Sequence, residues 1–387
     1  MRFKDAAPKA AAMQRHYGMD WLRIGAFAIL ILYHVGMVFV PWPFHAKSRH
    51  AEDWALLPML TANAWRLTLL FVVSGYATRA LLGRAHALTS FVADRSRRLL
   101  VPLAFGVAVV VPPQCWVELA SQHGYPHGFR QFWLHDYFGF TVRDRMVLPN
   151  WNHLWFVMYL WVYTAVLAGL VAVVRPLRWQ HGFNRVFGGW RVLAIPLLWF
   201  ACIHGWWFVM AAETHGLVDD PMAHLEYFPA FLFGFGLARS EAVMAAVVRW
   251  HRPAGVLALA GYGWVAAVQL GWMPSNGVWT RLYGVAHAVQ QWGAILALIG
   301  FAERHWNRDL PIRRTLTEAV FPFYLVHQTI IVVVAFWLLG AGLSATAEFA
   351  VLVAATVAGC LLFYLLGRRI GPLRPLIGLK RQRKIMP

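Results

Sequence analysis

The sequence predicts an all-α, polytopic integral membrane protein of about ten transmembrane helices with both termini in the cytoplasm. Three observations carry this expectation. Hydrophobic residues make up 59% of the 387 and charged residues only 13%, with a mean hydropathy of +0.51. Runs of about 20 apolar residues recur along the chain, and in lipid such a run has to be a helix, which satisfies its own backbone. The basic residues alternate: counting those at a span's end with the loop they adjoin, 27 of the 35 lysines and arginines fall at the termini and in every second loop, 6 in the remaining loops, and Arg23 and Arg66 inside spans. That bias orients the chain.

In order, the spans are expected near 17–40, 56–82, 98–120, 152–174, 190–212, 225–240, 254–272, 281–302, 317–340 and 346–367. The first is a retained span rather than a secretory signal, because it is too long, contains Arg23 and His34, and ends in "PWPF" without a small-residue cleavage motif. The third contains "VPPQ", Val111 to Gln114, and should end or kink there. The loop from Ser121 to Trp151 faces outward and reads as an aromatic interfacial cap. The chain divides into an N-terminal cytoplasmic tail, 1–16, a transmembrane domain, 17–367, and a basic cytoplasmic tail, 368–387, whose end "LKRQRKIMP" is solvated at an anionic leaflet.

The alternation accounts for the formal charge of +18 and excludes nucleic acid, which would need a basic face on a soluble domain. Cys115, Cys202 and Cys360 lie in apolar runs at no metal or redox spacing and are expected to be inert core residues. No Walker loop, G-x-S-x-G elbow or Rossmann fingerprint occurs.

Arg23 and His34 are eleven positions apart, which on a helix is about 20° in rotation and about 16 Å in rise. They share a face, with Arg23 in the inner half of the bilayer and His34 toward the outer half. Ionisable groups inside a span usually face a protein interior or a wet cavity. Arg66 falls in the outer half of the second span, where a cation needs an anionic partner or a substrate. Its bland readings are an interfacial snorkel or an ion pair with Glu226. Ser74-Gly75 deeper in that span allows close helix approach or is a packing notch. Arg95 and Arg98, at i and i+3 before Pro102, suit a phosphate-rich ligand, and ordinary positive-inside charge is the plain alternative. His153, His224, His287 and His327 fall at similar depth, at no zinc-ligand spacing. Each could be an interhelical hydrogen bonder, or together they would line a polar chamber. No metal is expected.

Arg23 and His34 as R-x10-H, "FVVSGY" at Phe71 to Tyr76, R-x-x-R-x-x-x-P at Arg95, Arg98 and Pro102, "HLWF" at His153 to Phe156 and "YLVHQ" at Tyr324 to Gln328 occur in this order. In these motifs the chain resembles the membrane acyltransferase family 3 over about residues 15 to 370. Within it, Arg66 eight residues before the Ser-Gly resembles the branch of glucans biosynthesis protein C. The chain departs from that branch at Tyr33, where a phenylalanine is usual, and at His327-Gln328, where His-His is common.

The resemblance implies transfer of an acyl group, acetyl or succinyl, from cytoplasmic acyl-CoA to a sugar hydroxyl of a periplasmic or envelope glycan, in a bacterial inner membrane. The implied partners are acyl-CoA as donor substrate, a glycan acceptor and membrane lipids, with room for a homodimer and no permanently bound cofactor. His34 would be general base or, alternatively, acyl carrier. Arg23, catalytic together with His34 and Arg66, would also bind CoA with Arg95 and Arg98, with Ser74 and Tyr76 alongside. Arg66 would stabilise the oxyanion or hold a succinyl carboxylate. His153, Trp155, Glu226, Tyr324 and His327 would bind or orient the acceptor. The alternative from another class is a transporter or flippase of an envelope sugar. Against it, the chain has no inverted repeat.

Overall fold

A computed structural model describes residues 16–144, 146–174, 176–209 and 213–381. Most of the expected N-terminal tail, 1–15, and the end of the basic tail, 382–387, lie outside the described residues. The main helices are α1 (Tyr17–Gly36), α2 (Leu56–Asn63), α3 (Arg66–Leu82), α4 (Leu88–Phe105), α5 (Pro112–Gln122), α6 (Trp155–Val173), α7 (Pro176–Phe187), α8 (Arg191–Cys202), α9 (Pro221–Leu237), α10 (Glu241–Gln269), α11 (Val278–His305), α12 (Pro311–Leu338) and α13 (Ala345–Arg369). Strand structure among the described residues is a two-residue antiparallel pairing, Val142–Arg143 with Met146–Val147.

Among the described residues, seven helical segments are long and apolar enough to cross a membrane, or up to nine if each of two bent pairs is one span. Each of the ten expected segments overlaps one of these helices. The bends are 90° between α7 and α8 and 113° between α9 and α10. Local chemistry sets several starts: Asp220 Oδ1 accepts from Ala223 N at 2.9 Å before α9, and Ser240 Oγ accepts from Val243 N at 3.1 Å before α10. Pro221 stands at a first-turn position, where a missing N–H costs nothing.

The residues form two compact units. The first comprises 1–26, 57–95 and 160–314. Its tightest joint is α3 on α9, where a Cβ added to Gly75 would stand 1.9 Å from the Phe231 carbonyl oxygen and one on Gly234 would stand 1.8 Å from that of Val72. The two glycines let backbones touch backbones. Gly75 is therefore the packing notch that the Ser-Gly pair suggested.

The second unit comprises 27–56, 96–159 and 315–387, with Val35, Val38, Val117, Ile331 and Leu352 fully buried in its core. The third expected span breaks where its prolines predict. Between α4 and α5 runs one wide turn, Gly106–Val110, in which Val111 N bonds Gly106 O at 2.8 Å. That register strands the carbonyl of Val107, and Pro112 has no N–H for Ala108. Tyr137 Oη donates to Val107 O at 2.8 Å and Trp133 Nε1 to Ala108 O at 2.9 Å, both from the loop that follows α5, while Thr329 Oγ1 donates to Val110 O at 2.7 Å. The loop's aromatics are therefore backbone acceptors' partners as well as apolar cover.

Near the C-terminus, Arg374 is buried and donates to the Arg368 and Lys380 carbonyls at 2.8 and 2.7 Å. Ile377 is 2% exposed, so this part of the basic tail packs on its own unit. Cys115 and Cys360 are buried as expected; Cys202 is exposed, because α8 turns that face outward.

Candidate functional site

The second unit gathers three histidines from separate helices. His34 sits in the last turn of α1, His153 just before α6, and His327 midway along α12. His327 Nε2 lies 3.1 Å from His34 Nδ1, and the two rings are 5.0 Å apart. The His153 ring is 5.1 Å from that of His327. Tyr324, one turn before His327, donates its hydroxyl to the His153 carbonyl at 2.5 Å, and the Phe27 and Phe156 rings flank it at 5.6 and 6.0 Å. His153 and His327 are 7% and 0% exposed, so this is an interior cluster.

Backbone carbonyls assign the tautomers, since a carbonyl oxygen only accepts. Nδ1 of His327 lies 2.7 Å from Tyr324 O and must carry the proton. In the neutral ring, Nε2 is then an acceptor. His34 Nδ1, 2.9 Å from Leu30 O and 3.1 Å from His327 Nε2, is the donor to both. The lone pair of His34 is thereby placed on Nε2. By the same logic His153 Nε2 donates to Leu325 O at 3.2 Å, and its Nδ1 is buried with no hydrogen-bond partner among the described residues. An acceptor so placed is suited to a hydroxyl donor.

Beside this cluster runs a second polar chain that sequence reasoning missed. His45 Nδ1 contacts a Glu118 carboxylate oxygen. Gln328 Nε2 donates to His45 Nε2 at 2.9 Å and to Gln114 Oε1 at 3.1 Å. Asn152 Nδ2 donates to the same Gln114 oxygen at 3.0 Å, and Gln114 Nε2 to Thr329 Oγ1 at 2.6 Å. Nothing in local spacing marks these residues. The available signal was an acid, Glu118, in an apolar run. Nearby, Lys47 donates to the carbonyls of Met37, Val40 and Trp42, in the segment that follows α1; burial pulls its ammonium down to about 8.

The other expected residues fall as follows. Trp155, in the second unit, is 6% exposed and packs edge-on against Tyr159 at 5.1 Å. Arg98 belongs to the same unit, and Arg23, Arg66, Ser74, Tyr76, Arg95 and Glu226 belong to the first. Arg66 Nη1 donates to Asn63 O and Oδ1 at 2.7 and 2.6 Å, and the cation acts electrostatically on Tyr227 and His287. Glu226 is 3% exposed; it accepts from Thr68 Oγ1 at 2.6 Å and from Gln291, with His204 Nε2 at 3.4 Å. Arg23 has no side-chain hydrogen bond among the described residues. Its nearest charge, Asp20, is engaged by Arg313. Tyr76 lies edge-on to His16 at 6.2 Å and within electrostatic reach of Asp20 and Glu303.

His224 and His287 also belong to the first unit. His224 donates to Leu217 O at 2.7 Å and contacts the Tyr163 hydroxyl at 3.0 Å, while His287 packs on His204 at 4.8 Å. Among the described residues no three His, Cys, Asp or Glu side chains converge as metal ligands.

Comparison with known proteins bears on what this cluster does. Residues 16–365 match the profile of a family described as the acyltransferase domain. Glucans biosynthesis protein C of Escherichia coli K12 is 24% identical over 236 residues, 57% of this chain and 57% of that protein. The protein of the same name from Escherichia coli O81 is 24% identical over 267 residues, 64% of this chain and 66% of that protein. The matched region thus spans less than two thirds of either relative. No solved structure matches the chain.

Proposed function

The chain belongs to the acyltransferase domain family, and from that premise we propose that it moves an acetyl or succinyl group from cytoplasmic acyl-CoA to a sugar hydroxyl of an envelope glycan. The name of its relatives, glucans biosynthesis protein C, supports a glucan as acceptor. It is a membrane protein; the bacterial inner membrane, ten spans and cytoplasmic termini are the proposed setting, supported by the 27 to 6 division of basic residues.

The observation that carries the chemistry is the contact of His327 Nε2 with His34 Nδ1. It directs the His34 lone pair to Nε2, where it serves as general base. The acceptor hydroxyl gives its proton to His34 Nε2 and its oxygen attacks the thioester carbon. The carbon–sulfur bond then breaks, and the departing thiolate takes the proton from His34. As His34 becomes cationic, His327 accepts the hydrogen bond from Nδ1 and holds the ring in place. His153, with Tyr324 on its carbonyl, orients the acceptor hydroxyl, and Trp155 walls that side.

Arg23, Arg95 and Arg98 are the proposed partners of the donor's phosphates, with Ser74 and Tyr76 beside them. Arg66 serves the oxyanion or a succinyl carboxylate, and Glu226 the acceptor's hydroxyls. The test is release of free CoA thiol from acetyl-CoA and succinyl-CoA by the protein in nanodiscs, with and without a glucose oligosaccharide. Wild type should turn over at least one thioester and His34→Ala neither. If wild type neither binds nor cleaves either thioester, the transport reading replaces this one.

A further inference from the structure

We propose that Glu118 and His45 are positioning residues for the histidine cluster, acting through Gln328 and Gln114. This rests on the acyl-transfer reading, which concerns the groups that touch substrate; neither Glu118 nor His45 is among them.

The case is one of hydrogen-bond direction. A carboxylate at Glu118 only accepts, so His45 Nδ1 donates to it. His45 Nε2 is then an acceptor, and the group facing it at 2.9 Å has to be the amide nitrogen of Gln328. The second hydrogen of that nitrogen goes to Gln114 Oε1, which leaves Gln114 Nε2 to donate to Thr329 and the Thr329 hydroxyl to donate to Val110 O. The donors run outward from the Gln328 amide nitrogen in two directions, through His45 to the Glu118 carboxylate and through Gln114 and Thr329 to the Val110 carbonyl. The Val110 carbonyl fixes the two amides, and the acid anchors the far end: without Glu118 the His45 Nδ1 proton loses its acceptor and the imidazole that receives the Gln328 amide loses its hold.

The chain is offset by one residue from the catalytic cluster. Gln328 follows His327 and Asn152 precedes His153, and both amides converge on the single oxygen of Gln114 at 3.1 and 3.0 Å. That shared oxygen ties α12 to the start of α6 and thereby sets the 5.1 Å separation of the His327 and His153 rings. On the third side, Phe44 precedes His45 and lies 6.4 Å from the His34 ring. Gln328 and Gln114 are 4% and 0% exposed, so both amides are held in the interior.

The experiment is steady-state kinetics of thiol release from succinyl-CoA and acetyl-CoA by the full chain in nanodiscs. It compares Glu118→Leu, Glu118→Gln, the volume-conserving Gln328→Met, and His34→Ala, each with a thermal unfolding midpoint. Glu118→Leu and Gln328→Met are expected to lower kcat about 10- to 100-fold while KM for the thioester stays put, the size of a misplaced reacting group. Glu118→Gln should restore most of kcat, because its amide oxygen accepts the same His45 proton. Wild-type kcat in Glu118→Leu, or an equal loss in Glu118→Gln, overturns the proposal. If Glu118→Leu does not fold, Gln328→Met decides alone. Full turnover in His34→Ala would sink the acyl-transfer reading instead, so the two failures are separable.

Discussion

His327 Nε2 accepts from His34 Nδ1 across 3.1 Å, joining two residues 293 positions apart in the chain. With the Tyr324 and Leu30 carbonyls fixing both rings, the pair presents one defined nitrogen for proton transfer. Replacing His327 by phenylalanine should keep the burial and lose this direction. We expect kcat to fall about 100-fold, at the low end for loss of acid–base catalysis, with His34→Ala lower still. Thiol release from acyl-CoA measures both, and an active His327→Phe enzyme would exclude the relay.

Arg66 distinguishes its two roles by substrate. If it holds a terminal carboxylate, Arg66→Ala should reduce turnover of succinyl-CoA at least about 10-fold more than that of acetyl-CoA, as expected for loss of a charge-assisted contact. Equal losses on the two thioesters would assign it to the oxyanion.

The joint of α3 and α9 leaves no room for a side chain at Gly75, since an added Cβ meets a backbone carbonyl rather than a movable side chain. Gly75→Ala should cost about 3 kcal/mol, the upper range for overpacking, or prevent folding. The unfolding midpoint in detergent reads this directly, and an unchanged midpoint would mean that the helices separate easily.

Tyr137 is fully buried, and its hydroxyl serves the Val107 carbonyl and, at 3.0 Å, that of Asn150. Tyr137→Phe should destabilise by about 1–3 kcal/mol, the cost of a buried acceptor left unmade. Faster proteolysis of the loop that follows α5 at equal temperature is the second readout; no change in either would show that another donor takes over.

Lys47 gives a pH signature. Its ammonium is lost near 8 in the folded protein but near 10.5 in the unfolded chain, so between these values the unfolded state binds more protons. Stability contributed at this site therefore rises with pH across that window. The unfolding midpoint of wild type minus that of Lys47→Met should grow from pH 8 to pH 10. A flat difference would show that the three carbonyls hold the proton on.

Much of the fold was legible because hydropathy and proline act locally. Apolar runs have to be helices in lipid, and "VPPQ" has to interrupt one, so the helical segments and the break before α5 could be read in advance, whereas seven helical segments, or up to nine, among the described residues are long and apolar enough to cross a membrane, against the ten expected. His34 and His327 were legible because an ionisable group in a span is costly enough to need a reason. Gln114, Gln328 and His45 were not, because amides and a loop histidine are unremarkable at those positions until their partners are known. The exposure of Cys202 was hidden for a related reason: a uniformly apolar run does not reveal which face turns outward.

The sequence by itself determined that the chain is a helical membrane protein, which loops carry its positive charge, and that it resembles an acyltransferase. These follow from residue-by-residue transfer energies and from short motifs. Only the tertiary structure decided which histidines meet, which nitrogen of each faces which partner, and that a hydrogen-bonded side-chain network joins Glu118 to the Val110 carbonyl. The physical reason is that contacts between helices depend on relative rotation and depth. Those are set by close-packed shapes such as Gly75 on Phe231 and by hydrogen-bond direction between distant side chains, neither of which leaves a period in the sequence.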